Sequence, residues 1–98
     1  MTDKELLELA AKAAEIDISR MTYMENTYFY GNHIKWAPLT DDGDALRLAC
    51  RLHINVFIYH DETSTATLGV VAKNWGSVEA NTRRAIVRVA AEIGKAMK

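Results

Sequence analysis

The sequence predicts an α+β fold: an antiparallel β-sheet with three helices packed on it, in the order α-β-β-β-α-β-β-α, an α/β/α sandwich with residues 1–98 as a single domain. Three observations predict it. Apolar residues recur every three to four positions from Ala85 to Met97, which is a helical period. β-Branched and aromatic residues crowd between Met21 and Trp36, divided by turn-forming pairs. Between these regions, Trp36-Ala37-Pro38-Leu39-Thr40-Asp41-Asp42-Gly43-Asp44-Ala45 joins a strand end to an acidic helix start. Pro38 biases Ala37 toward an extended backbone, and carboxylates suit the positive end of a helix.

Thr2-Asp3-Lys4-Glu5 reads as a capping box. Leu6, Leu9, Ala10 and Ala13 follow at helical spacing, widened by Leu7 and Ala14, so the first helix is expected to run to about Ile16. Next comes a β-meander whose strands are separated by Glu25-Asn26 and Gly31-Asn32, the second pair being a two-residue hairpin signal. If the middle strand is regular, Tyr28 and Phe29 face opposite sides of the sheet. The second helix spans Asp41 to Leu52, capped by Thr40 or an adjacent aspartate, with Ala45, Leu48, Ala49 and Leu52 on one face. His53-Ile54-Asn55-Val56-Phe57-Ile58-Tyr59 is apolar on both alternating sets, which predicts an interior strand covered on both faces. Asp61-Glu62-Thr63-Ser64 is expected to turn, Thr65 to Lys73 to return as the partner strand, and Ser77 to cap the last helix. Helices are expected on both sheet faces.

A chain of 98 residues supports one core near the size where assembly into an oligomer helps stability. Its hydrophobic share of 49% and charged share of 26% exclude a disordered or disulfide-scaffold class. Cys50 is the only cysteine, so no internal disulfide forms; a reducing compartment and a buried structural thiol are expected. The N-terminal residues lack a signal-peptide pattern and no apolar run reaches membrane length, giving the expectation of a cytoplasmic protein without a membrane partner. A net charge of −1 argues against general nucleic-acid coating. The charge is nonetheless uneven: Asp3, Glu5, Glu8, Glu15 and Asp17 dominate the first helix, whereas Arg83, Arg84, Arg88, Lys95 and Lys98 dominate the last.

The opening Glu5-Leu6-Leu7-Glu8-Leu9-Ala10, the segment Trp36 through Ala49 and the closing Arg84-Ala85-Ile86-Val87-Arg88-Val89-Ala90-Ala91 together resemble the phage α-β-α sandwich family and the related NinX-like proteins. They frame nearly the whole chain in order, while the meander and the turn near Asp61 match poorly. The resemblance implies a bacteriophage accessory protein acting in the host cytoplasm. By analogy with other small phage proteins, it would counter host defence by sequestering a signalling nucleotide or blocking a defence protein; fold alone does not fix which.

Read as chemistry, Asp41, Asp42 and Asp44 are better placed for capping than for metal binding, because the longer EF-hand ligand pattern is absent. His33, His53, His60 and Cys50 lack zinc-site spacing, and a Cys50 pair with His53 or His60 has no supporting nucleophile motif. No Walker, Rossmann or Gly-x-Ser-x-Gly pattern occurs, so no catalytic residue, metal or cofactor is assigned and the chain is read as a non-enzyme. The candidate ligand-binding set is Arg83, Arg84 and Arg88 to neutralise phosphate, with Trp36, Trp75 or Tyr30 to stack on a base. Lys95 shares the arginine stripe, and Asn81 and Thr82 near the helix start could donate to phosphate. The expected function is sequestration of a small anionic nucleotide by a homo-oligomer. The alternatives are an inhibitor of a host defence complex that mimics nucleic acid through the acidic first helix and Asp41, Asp42 and Asp44, or a structural or regulatory module without ligand.

Overall fold

A computed structural model describes residues 1–31, 34–60, 62–65 and 69–97. The elements run α1 (Asp3–Ala13), β1 (Thr22–Met24), β2 (Thr27–Tyr30), β3 (Ile34–Trp36), α2 (Asp42–Leu52), β4 (Val56–Ile58), β5 (Glu62–Thr65), β6 (Val71–Lys73) and α3 (Val78–Ala96). The chain is α+β with helices packed on antiparallel strands, as its sequence predicts. The strands form two three-stranded meanders, β1-β2-β3 and β4-β5-β6, rather than one continuous sheet. In the second meander, Glu62–Thr65 is strand, not turn, and the returning segment is divided between β5 and β6. Thr63 explains the difference: polar by type, it is fully buried, with its hydroxyl 3.0 Å from that of Thr82 on α3. The polar residues that signal a turn in sequence here carry a strand whose inward face bonds to a helix.

Helix α1 begins with the expected capping box, Thr2 and Glu5 satisfying each other's backbone N–H. It ends at Ala13, short of Ile16, because Glu15 turns left-handed at φ 58° and Ile16 N–H closes back on the Ala11 carbonyl at 2.8 Å. Helix α2 stops the same way at His53, φ 55°. Neither stop carries the glycine that usually marks one. In the first meander, Glu25 and Asn26 both have positive φ and make the tight β1–β2 turn. The second half of the expected Gly31-Asn32 turn, and His33, lie outside the described residues; Gly31 itself has φ 63°. Tyr28 is buried while Phe29 is exposed, the alternation expected of a regular strand.

The core gathers Leu7 and Ala10 of α1 and the Ala14 that follows it with Tyr28 and Trp36 of the first sheet, Ala45, Leu48 and Ala49 of α2, and Ile86, Val87, Val89 and Ala90 of α3. Asp3 meets Arg84, Leu9 lies against Gly94 and Lys12 reaches the Met97 carbonyl, so α1 and α3 run side by side in the same direction. Both helices bury several alanines, and their closest approach is at Gly94, where a Cβ would sit 1.9 Å from the Leu9 carbonyl oxygen. Helix α3 also packs against α2 and the second sheet. Two expectations are corrected. The strand after α2 is an edge with Phe57, Ile58 and Tyr59 exposed, since β4 pairs only with β5 among the described strands. Cys50 is exposed rather than buried, because it lies off the face of α2 that carries Leu48 and Ala49 into the core.

Candidate functional site

The acidic segment that stands out in sequence is spent on architecture. Asp41 caps α2 by accepting the Asp44 N–H at 2.8 Å. Asp44, 7% exposed, accepts the Ala37 N–H at 2.9 Å and the Arg47 guanidinium at 2.6 Å, tying the first turn of α2 back to the end of β3. The carboxylate in turn holds the Arg47 guanidinium above the usual arginine range. Asp42 pairs with Arg83 at 2.5 Å, and Arg83 Nε donates to the Leu39 carbonyl at 2.9 Å. Thus Arg83, a sequence candidate for phosphate binding, clasps α3 to the α2 entry loop.

Three of the six candidate ligand residues converge elsewhere. Arg84, Arg88 and Trp75 line a cavity of about 750 Å³ between the start of α1, the start of β6 and one face of α3. The N–H of Trp75 donates to the side chain of buried Asn81 at 3.0 Å, and Gly76, at φ 107°, turns the chain from there into the Ser77 cap. The Arg84 guanidinium lies 3.8 Å from the centre of the Trp75 ring and makes two hydrogen bonds to Asp3, at 2.6 and 3.3 Å. These bonds, opposed by partial burial, hold the Asp3 carboxyl below the usual aspartate range. Asn26 supports the pair by donating to Asp3 at 3.3 Å.

Arg88 lies one helical turn beyond Arg84. One of its N–H groups donates to the Val71 carbonyl at 2.8 Å, and among the described residues it makes no ion pair. Leu6, Val70 and Val71 supply apolar wall, and Glu92, a further turn along α3, adds a second carboxylate. About half of the Trp75 surface, 49%, remains open.

The other sequence candidates lie apart from this cavity. Trp36 is 8% exposed and packs in the core beside Tyr28, so it presents no stacking face. Tyr30 is exposed on β2 but does not line the cavity, and neither does Lys95. Asn81, buried, accepts the Trp75 backbone N–H, the Thr82 hydroxyl donates to the Val78 carbonyl beside Thr63, and neither residue lines the cavity. Asp3 and Glu92 are the acidic cavity residues that sequence reasoning missed. Glu92 had a signal, since positions 84, 88 and 92 fall on one helical stripe. Asp3 had none beyond its place in a capping box, because its partner lies 81 positions away.

Among the described residues, no helix is long and apolar enough to cross a membrane, and no group of three or more His, Cys, Asp or Glu side chains is placed to hold a metal ion. No protein-family model, curated protein or solved structure matches the chain.

Proposed function

We propose that the protein is a non-enzymatic binder of a small anionic nucleotide, held in the Trp75–Arg84–Arg88 cavity. The observation that carries this reading is an aromatic ring backed by a fixed arginine and set beside a second arginine with donors to spare. The 750 Å³ volume falls within the range typical of small-molecule sites. In this reading a nucleobase stacks on the open surface of Trp75, and Arg88 donates to a phosphate oxygen. Arg84 acts as a positioning residue: its hydrogen bonds to Asp3 keep the ring from moving, which lowers the ordering cost of binding. The formal charges of Arg84 and Arg88 are balanced by Asp3 and Glu92. That balance favours a ligand with a single phosphate and with amino or hydroxyl donors for Glu92 over a highly charged polyphosphate.

The biological setting rests on the sequence resemblance alone: a phage accessory protein, acting as a homo-oligomer in the host cytoplasm, that withdraws a signalling nucleotide from a defence pathway. The acidic-mimicry alternative is weaker, since Asp41, Asp42 and Asp44 are already matched within the fold.

Native mass spectrometry on protein purified from a bacterial cytosol gives a direct test. A bound mass released on denaturation as a nucleotide supports the reading. A companion titration uses the Trp36→Phe variant, which leaves Trp75 as the only fluorescent indole, with adenosine monophosphate as probe. Saturable quenching is expected, and Arg88→Glu is expected to weaken it at least tenfold. Ligand-free protein that also shows no quenching would reject the reading.

A further inference from the structure

The two edges of the second sheet are treated differently. At β6, the Arg88 guanidinium is bonded to the Val71 carbonyl and Lys73 is exposed, so the edge is blocked and charged. At β4, Ile54-Asn55-Val56-Phe57-Ile58-Tyr59 contains no charge and no proline. The backbone groups that face outward there follow from the ladder. Tyr59 N–H donates to the Glu62 carbonyl at 2.8 Å, and the register pairs Phe57 with Ser64. By the alternation of antiparallel pairs, the N–H and C=O groups of Val56 and Ile58 point away from β5. Beside this edge runs an apolar groove lined by Leu46, Ala49, Ile54, Val56, Ile58 and Ile86.

We propose that β4 is a self-association edge, pairing antiparallel with β4 of a second copy about a two-fold axis at Phe57. In this register Val56 of each chain faces Ile58 of the other, and the two pairs exchange four backbone hydrogen bonds. Phe57 then lies opposite its own copy as the close, non-bonded pair, with Cα atoms about 4.5 Å apart, and the rings meet on the outer face. The β4-β5-β6 meanders of the two copies become one six-stranded sheet. Ile58 of each copy packs toward the groove where Leu46 of the other lies.

A second copy is the occupant that the charge pattern of the strand favours. An uncharged strand laid against itself brings no like charges together, so the pairing is self-complementary as two-fold symmetry requires. Leu46, Phe57, Ile58 and Tyr59 are 62%, 47%, 58% and 55% exposed. Together they offer on the order of 400 Å² per copy, about half of what a standard interface buries on each partner. The product is a reversible, concentration-dependent dimer. It forms at the opposite edge of the sheet from the Trp75 cavity and does not depend on whether that cavity binds a nucleotide.

Sedimentation velocity across a concentration series, on the full chain, tests the register. Wild-type protein is expected to dimerise. Phe57→Glu and Phe57→Lys are each expected to be monomeric with unchanged far-UV circular dichroism, because like charges meet at the axis. Mixing the two variants is expected to restore a dimer, since opposite charges then face each other. The proposal is overturned by a wild-type monomer at every concentration, by a dimer indifferent to Phe57→Glu, or by a mixture that stays monomeric. A wild-type monomer that captures a different protein through this edge would assign the edge to that partner and overturn self-pairing as well.

Discussion

At the scale of single residues, Arg84 carries the most interactions in the candidate site, and its role is legible only once Asp3 is seen beside it. Its side chain is 11% exposed and that of Asp3 37%, so the pair is shielded on one side and wet on the other. Replacing Arg84 with alanine leaves a partly buried carboxylate without its main donor. We expect a loss of about 1–2 kcal/mol, read as a lower urea midpoint. The pair also has a pH signature. Since the folded state holds Asp3 below its ordinary value of 3.8, its contribution is fully present above that value and disappears as the pH falls through the lowered folded value. Asp3→Asn is therefore expected to lose less stability than wild type between about pH 5 and pH 2. Equal losses in urea titrations would show that the carboxylate is not linked to folding. The sequence displayed the arginines and Trp75 but could not show which arginine was already engaged. Arg83 and Arg84 are chain neighbours, yet a helix sends adjacent side chains about 100° apart, one to Asp42 and the other to Asp3.

At the scale of elements, the helices were easier to read than their ends. Capping boxes and acidic first turns are local signals, and Thr2, Asp41 and Ser77 all cap as their residue types allow. Helix stops at Glu15 and His53 use left-handed backbone without glycine, closed by local bonds from Ile16 to Ala11 and from Ile54 to Ala49, so the residue type that ordinarily signals such a stop is missing from the sequence. The strand errors have a similar origin. Thr63 and Ser64 look like turn residues until Thr82 supplies a partner, and the apolar run at 54–59 looks interior although only one of its faces meets a helix. The α1–α3 contact yields the sharpest prediction at this scale. Gly94→Ala forces a methyl group into the Leu9 carbonyl, which is backbone and cannot swing aside. A loss of about 3 kcal/mol or more is expected in thermal or urea unfolding, well beyond the ~1 kcal/mol that alanine would contribute through helix propensity. An unchanged midpoint would mean that the two helices do not pack this closely.

At the scale of the whole molecule, α3 is the common partner of α1, α2 and the second sheet, and the first sheet joins the same core through Tyr28 and Trp36. We expect unfolding to be a single cooperative transition. In a Trp75→Phe variant, the fluorescence of buried Trp36 should change at the same urea concentration as the far-UV signal of the helices. Separated midpoints would show that the first meander melts independently. The fold class was legible because periodicity and turn chemistry act over a few residues, whereas the division into two sheets was not, since it depends on which strands find each other across the chain. The parallel pairing of α1 with α3 has a consequence for how this protein is made. Asp3 and Arg84 lie 81 positions apart, and every intervening residue must be synthesised before that contact exists. The first helix therefore leaves the ribosome with its alanine face uncovered and stays that way until the last helix follows. On that basis the core closes only once Val78–Ala96 has been made, at a rate limited by bringing distant segments together.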